Sequence, residues 1–123
     1  MQGLKGEIVM VDCIFCKIAN GKIPSDKVYE NENVYAFRDL DPVAPTHVLI
    51  VPKEHIKSLD EMEDANQSLL GEMMLTAKKI AKSEGLSEAG YRVVNNIGKA
   101  GGQSVDHFHL HVVGGRNMQW PPG

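Results

Sequence analysis

The sequence near the C-terminus places histidine at alternate positions among large apolar residues, in the run HFHLHVV at 107–113. Successive side chains of a β-strand point to opposite faces of the sheet, so this pattern predicts a strand that buries Phe108, Leu110 and Val112. The three imidazoles would then line the other, open face, about 6.5–7 Å apart. Imidazole transfers protons, attacks electrophilic atoms and binds metals near neutral pH, so this face is a candidate active site.

Length and charge limit the classes of protein to which the chain can belong. With 123 residues, of which 42% are hydrophobic and 24% charged, it fits one compact domain at 12–123. Residues 1–11 are weakly patterned and include a second methionine, Met10, so we expect a disordered leader there. The net charge of −3 and the lack of a Lys/Arg block argue against a nucleic-acid partner. No run approaches the roughly 20 apolar residues of a membrane span, so we expect a cytoplasmic protein.

The patterned segments predict an α+β domain, with a largely antiparallel sheet of about five strands, one long helix and one short helix. Apolar residues recur at helical spacing over 64–84, and Gly85 is placed to end that helix. The Asn31-Glu32-Asn33 turn predicts a hairpin between two of the strands. The expected short helix covers 14–19, and the expected strands cover 27–30, 34–38, 47–51, 91–95 and 104–113.

The histidine run alone leaves three interpretations open: surface histidines, a metal site, or nucleophilic catalysis. The preceding loop, 98–104, is rich in glycine, and its backbone amides could bind an anion beside the histidines. Strand alternation places Ser104 on the face opposite His107, unless a bulge turns it. The loop therefore favours an anionic ligand without deciding the chemistry.

Two cysteines near the start of the domain form a Cys-x-x-Cys pair, Cys13 and Cys16. Such a pair supplies half of a tetrahedral zinc site, so zinc requires two further ligands. A redox pair and two inert buried thiols are the alternatives. A disulfide is not expected in a cytoplasmic chain.

Two longer motifs, DPVAPTHVLIVPKEHI and GGQSVDHFHLHVVGG, resemble those of the histidine-triad family, in particular its nucleotide-binding phosphoramidase branch. The resemblance runs from Asp12 onward, and the tail from Gly114 to Gly123 is also similar to that branch. It implies a homodimeric enzyme that hydrolyses the P–N bond of purine nucleoside 5′-phosphoramidates through a covalent nucleotidyl-histidine. No catalytic cofactor is implied.

The same resemblance assigns roles to individual residues. His109 would attack the α-phosphorus, His111 would hydrogen-bond the phosphate, and His107 would orient the nucleophile. Asp39 would bind the ribose, because a carboxylate can accept hydrogen bonds from both ribose hydroxyls. The remaining implied residues are His47 and Ser104 in catalysis, Asn96, Gly102, Gln103 and Ser104 near the phosphate, and Phe15, Ile18, Ile23, Phe37 and Leu40 around the purine.

Some members of the family bind a structural zinc through residues matching Cys13, Cys16, His55 and His107, so the resemblance also implies a zinc site here. The chain departs from the family pattern at Asp106, where an aromatic residue is common, and at Phe108, where a smaller aliphatic residue is usual. Two other functions stay open: a metal-dependent hydrolase that uses the histidine run as ligands, and a nucleotide-binding or scaffolding module without turnover.

Overall fold

The computed structural model describes residues 12–123, so the expectation of a disordered leader at 1–11 lies outside the described residues. The described part contains five strands, two α-helices and two single-turn 3₁₀ helices. The strands are β1 (Lys27–Glu30), β2 (Val34–Arg38), β3 (Thr46–Pro52), β4 (Tyr91–Val94) and β5 (Leu110–Gly114). The α-helices are α1 (Ile14–Ala19) and α2 (Gln67–Ser83), and the 3₁₀ turns are Leu59–Glu61 and Asp64–Asn66.

The five strands form one antiparallel sheet in the order β1-β2-β3-β5-β4. This confirms the expected α+β fold, with one long and one short helix. The hairpin between β1 and β2 is also as expected, because the Asn31 carboxamide oxygen accepts the backbone N–H groups of Asn33 and Val34. The Asn31 amide group reaches across to Glu72 of α2, with a nitrogen–oxygen distance of 2.7 Å.

The sheet carries a separate apolar core on each face. Alternate side chains of β2 and β3 pack against α2 on one face and against α1 on the other, and β5 adds Leu110 and Val112 to the α2 side. The α2 core includes Val34, Ile50, Met73, Phe108 and Val112 among its buried members. The smaller α1 core consists of Phe15, Ile18, Ala19, Tyr35, Phe37, Leu49 and Val51.

The predicted strand at 104–113 is wrong over its first half, because β5 begins only at Leu110. Its neighbour β4 ends at Val94, so residues 104–109 have no strand on that side to pair with. They are held by turn-like contacts instead: the His107 N–H donates to the Val105 carbonyl, and the Phe108 N–H donates to the Ile56 carbonyl at 2.6 Å. Strand alternation therefore does not apply to Ser104.

Smaller corrections concern element ends. The long helix begins at Gln67 rather than 64, because its first expected turn is 3₁₀. It ends as expected before Gly85, whose φ of +76° suits glycine. The third strand is one residue longer at each end than expected, and the fourth stops at Val94 rather than 95. No helix among residues 12–123 is long and apolar enough to cross a bilayer.

Candidate active site

Strand pairing brings an acid and two histidines together on the α1 face of the sheet. His111 lies in one cross-strand row with Leu49 of β3 and Phe37 of β2. His47 stands two residues before Leu49 and so points to the same face. Asp39, just past the end of β2, donates its N–H to the His47 carbonyl, which continues the ladder by one residue. The fold thus gathers side chains that are distant in sequence.

Short contacts connect these three side chains. The Nε2 atom of His47 lies 2.8 Å from Nδ1 of His111 and 3.5 Å from Oδ2 of Asp39. The other Asp39 oxygen accepts the Asp41 N–H at 2.8 Å, which fixes the orientation of the carboxylate. The imidazole of His111 lies beside that of His109, with ring centroids 5.1 Å apart.

His109 is held in one tautomer by the backbone. Its Nδ1 lies 2.7 Å from the carbonyl oxygen of His107, and a carbonyl only accepts, so Nδ1 carries the proton. The lone pair therefore lies on Nε2, the nitrogen available for nucleophilic attack. The ring of Phe15 contacts His109 edge-on at a centroid distance of 5.0 Å, which restricts rotation of the imidazole. The side chain of His109 is 2% exposed.

Burial favours the neutral form of the His109 and His111 imidazoles. Desolvation lowers the pKa of His109, against the opposing effects of its bond to the His107 carbonyl and of the Asp39 charge. The pKa of His111 falls to about 4, mainly through desolvation; the neighbouring His109 and His47 also lower this pKa, and the Asp39 charge opposes them. A neutral imidazole retains the lone pair that a nucleophile requires.

The imidazole of His107 points away from those of His109 and His111, and both His107 and His109 are buried, which corrects the expectation of one exposed row. His107 is fully buried, and its Nε2 lies 2.8 Å from the Pro52 carbonyl oxygen. That carbonyl requires a proton on Nε2, so the Nδ1 lone pair points the other way. There it lies 3.3 Å from the Cys13 sulfur and 3.1 Å from Nδ1 of His55. The backbone carbonyl of His107, rather than its imidazole, contacts His109.

Cys13, Cys16, His55 and His107 have donor atoms within 4.8 Å of one another. The Cys16 sulfur lies 3.3 Å from Nδ1 of His55 and 3.5 Å from Nδ1 of His107. Tetrahedral zinc with ordinary bond lengths separates a sulfur from a nitrogen ligand by about 3.6 Å and two nitrogens by about 3.3 Å. The donor set and spacing therefore fit a four-coordinate zinc. Burial is the main cause that lowers the pKa values of His55 and His107, and the latter falls to about 4.

The three histidines of the run do not converge on a metal by themselves. In the described part of the chain, donor atoms converge in the cysteine cluster and in the group of Asp39, His47 and His111. His109 belongs to neither group. This geometry does not favour a metal site built from the run alone.

The polar residues of the glycine-rich loop hydrogen-bond within the loop and to its neighbours, and their expected contact with a phosphate stays a prediction. Asn96 donates to the Gly101 carbonyl at 2.8 Å, so its amide group stabilises the loop. The Gln103 carboxamide accepts the Gly98 N–H and donates to the carbonyls of Lys57 and Val105. Gly102, with φ of +82°, makes the turn. Ser104 is exposed and lines a cavity of about 380 Å³ together with His55, Cys13 and Asp106.

Asn95 is a residue that the sequence reasoning missed. Its amide nitrogen donates to the His109 carbonyl at 3.0 Å. Its oxygen is the only buried side-chain oxygen or nitrogen in residues 12–123 without a hydrogen-bond partner. The position of Asn95 directly after the apolar strand β4 could have marked it as a site residue. The adjacent Asn96 has the same side chain, so the sequence does not distinguish the two.

The residues expected around a purine divide into two sets. Phe15, Ile18 and Phe37 are buried in the α1 core, and Ile23 packs against them. Leu40 is 97% exposed and does not pack in the α1 core, so its expected contact with a purine stays a prediction. It follows Asp39 in a tight turn that directs the chain away from the core.

Comparison with known proteins agrees with this architecture. The family model of the HIT domain matches residues 20–118. A HIT-like protein of Synechococcus elongatus is 53% identical over 112 residues, covering 91% of this chain and 97% of that protein. Among solved structures, a HIT family hydrolase from Legionella pneumophila is 54% identical with a TM-score of 0.90, and the match covers 91% of this chain and all of that one.

More distant structures share the same fold. A histidine triad protein from Clostridium difficile is 48% identical with a TM-score of 0.88, over 91% of this chain and 97% of that one. A histidine triad nucleotide-binding protein from Candida albicans is 38% identical with a TM-score of 0.77, over 89% and 83% of the two chains. The family match, together with the strand order and the histidine site, establishes that the chain belongs to the HIT domain family.

Proposed function

We propose that the protein is a nucleotide hydrolase that cleaves the P–N bond of purine nucleoside 5′-phosphoramidates, with His109 as the nucleophile. One observation carries the proposal: the bond from Nδ1 of His109 to the His107 carbonyl leaves the Nε2 lone pair for attack. The names of the Legionella hydrolase and the Candida nucleotide-binding protein support a nucleotide substrate and a hydrolytic reaction.

The reaction proceeds in two displacements at the α-phosphorus. In the first, Nε2 of His109 forms a bond to phosphorus while the P–N bond breaks, and the amine leaves with a proton taken from solvent. In the second, water attacks the same phosphorus, the bond to His109 breaks, and a proton returns to solvent. The products are an amine and a nucleoside 5′-monophosphate, and His109 is regenerated.

Neighbouring groups have supporting roles in this mechanism. His111 hydrogen-bonds a phosphoryl oxygen as negative charge shifts onto it. His107 orients the nucleophile through its carbonyl, and Asp39 receives the ribose hydroxyls on its Oδ2 side. Ser104 contacts the phosphate or the leaving group, the role that the family resemblance implies for it. Adenosine or guanosine linked to an amine or an aminoacyl group is the proposed substrate class.

Alkali-quenched mass spectrometry with an adenosine phosphoramidate tests the nucleophile and the substrate class together, because a P–N bond to histidine survives in alkali. We expect the wild-type protein to gain the mass of one nucleotidyl group, and His109→Ala to lose this adduct while still binding nucleotide. His111→Ala is the matched control, because it removes an imidazole of the same face but keeps the nucleophile, so the adduct forms more slowly.

The same experiment separates the other candidate functions. Activity that chelation abolishes and added metal restores, with no adduct, would favour a metal-dependent hydrolase. Nucleotide binding without turnover of any phosphoramidate would favour a binding or scaffolding module. Either result contradicts the proposed mechanism.

We also propose a structural zinc held by Cys13, Cys16, His55 and His107. The proposal is supported by four donor atoms within 4.8 Å of one another and by their near-tetrahedral separations. The ion would crosslink the start of α1 to the segment that carries the nucleophile. We expect one equivalent of zinc by elemental analysis and its loss in Cys16→Ser, with a lower melting temperature. Full metal content in that variant would refute the assignment.

A homodimer and a cytoplasmic location complete the proposal. The edge strand β4 is only partly buried, and α2 exposes Met74 and Leu75, so both offer surface to a second copy. A reducing compartment suits Cys13 and Cys16 of the proposed zinc site, which form no disulfide. Sedimentation analysis would test the dimer, and a concentration-independent monomer would refute it.

A further inference from the structure

A backbone amide outside the reacting groups selects the tautomer of His47. The Val43 N–H donates to Nδ1 of His47 at 3.2 Å. A backbone N–H can only donate, so this nitrogen of His47 carries a lone pair. A neutral His47 then carries its single proton on Nε2. The carboxylate oxygen of Asp39 lies 3.5 Å from this Nε2, on the side where a proton rather than a lone pair is favoured.

The tautomer of His47 determines the tautomer of His111. Nε2 of His47 and Nδ1 of His111 are 2.8 Å apart, and only one of them can carry the proton between them. With the proton on His47, Nδ1 of His111 accepts, and His111 holds its own proton on Nε2. The outward nitrogen of His111 is then a donor, which a phosphoryl oxygen requires. If Nδ1 of His111 carried the proton instead, Nε2 of His111 would hold a lone pair and repel the phosphoryl oxygen.

The segment after β5 contacts the loop that contains Val43 at two points. Nε of Arg116 donates to the Val43 carbonyl at 2.9 Å. Gly115 packs against Pro45 so closely that a Cβ at position 115 would lie 2.9 Å from the Pro45 Cβ. The loop between β2 and β3, which contains Val43 and Pro45, is therefore fixed by the residues that directly follow β5.

We propose that Arg116 and Val43 are positioning residues, which act through His47 to keep His111 a hydrogen-bond donor toward the phosphoryl group. The relay runs from Arg116 to the Val43 residue, from the Val43 N–H to His47, and from His47 to His111. Its catalytic consequence rests on the proposed function, whereas the tautomers themselves are a property of the protein without substrate.

Nitrogen-15 NMR of the imidazoles in the substrate-free protein, at a pH where they are neutral, tests the relay directly. We expect His111 to be protonated at Nε2 and unprotonated at Nδ1. In Arg116→Met the loop is released, and we expect a second His111 tautomer to become visible. Loss of one hydrogen bond changes such a ratio by about two- to tenfold, and kcat/KM for the phosphoramidate should fall by a factor in that range.

Two further variants distinguish positioning from general stabilisation. Arg92→Met is the matched control, because Arg92 donates to the Gln119 carbonyl of the same C-terminal segment but not to the loop. It should leave the His111 signals unchanged. Arg116→Lys keeps a donor for the Val43 carbonyl and should restore most of the wild-type tautomer. Val43→Pro removes the N–H itself, and Arg116→Met decides the question if that variant does not fold.

The proposal is overturned if His111 of the wild-type protein is protonated at Nδ1. It is also overturned if folded Arg116→Met keeps both the wild-type tautomer and the wild-type kcat/KM. Absence of the nucleotidyl adduct at His109 would instead refute the proposed function. The NMR measurement would still test the tautomers of His47 and His111, because it requires no substrate.

Discussion

Replacing Phe108 by alanine tests how residues 105–109, which include His109, are anchored to the rest of the domain. Phe108 stands between His107 and His109, is 1% exposed, and packs in the α2 core. A buried phenylalanine removes about 150–250 Å² from water, which corresponds to about 4–6 kcal/mol at 25 cal/mol per Å². Alanine recovers part of this burial, and measured Phe→Ala changes in protein cores cost about 3–5 kcal/mol. We therefore expect a loss of about 4 kcal/mol from the free energy of unfolding.

Chemical and thermal unfolding, followed by circular dichroism, would measure the effect. At about 4 °C per kcal/mol for a domain near this size, the melting temperature should fall by about 16 °C. Phe108→Leu is the matched control, because it keeps most of the apolar volume and should cost about 1–2 kcal/mol. A loss below about 1 kcal/mol in Phe108→Ala would refute the reasoning, because residues 105–109 would then not be anchored through this core.

Three further predictions concern charge and backbone conformation. Burial lowers the pKa of His111 to about 4, so the unfolded chain binds more protons between pH 6.5 and 4. Stability should be complete above pH 6.5 and fall toward pH 4, by at most about 1.4 kcal/mol per pH unit for this group. His111→Gln should have a shallower urea-unfolding profile against pH, and equal slopes would contradict the assignment. Glu84 pairs with Arg38 through both carboxylate oxygens, which lowers the pKa of Glu84. Because the pair is partly exposed, Glu84→Gln should cost only about 1 kcal/mol, less in high salt, and a salt-independent loss would argue against an ionic contribution. Gly115→Ala should cost more than 1 kcal/mol, since φ is +97° and the added Cβ meets Pro45, and an unchanged melting temperature would show that the loop yields easily.

The sequence predicts this fold well wherever local patterns determine the backbone. The hairpin at Asn31, the short helix and the stop at Gly85 depend on contacts within a few residues, and each was located within a residue or two. The strand prediction failed at residues 104–109, which lack a strand partner on the β4 side, although Phe108 packs in the α2 core with Leu110 and Val112 as alternation predicts. The point at which β4 ends determines where β5 loses this partner, and the histidine run contains no signal for that point.

The site shows a similar division. The family resemblance grouped Cys13, Cys16, His55 and His107, and the structure brings their donor atoms together. It did not point to Asn95, which contacts the His109 carbonyl, because a loop offers no periodic pattern that marks such a contact. The contact between Arg116 and Val43 joins residues that are 73 positions apart, and neither residue has a distinctive local pattern.

The strand order also has a consequence for folding during synthesis. β5 is the last strand in chain order, yet it lies between β3 and β4 and provides the only described link between them in the sheet. A nascent chain that ends before β5 can form the hairpins of β1, β2 and β3 but leaves one edge of β3 unpaired. Such an intermediate exposes part of both cores, and it lacks His109 and His111 entirely. The chain therefore gains the imidazoles of His109 and His111 in the same step that closes the sheet, so the proposed activity requires the complete sheet.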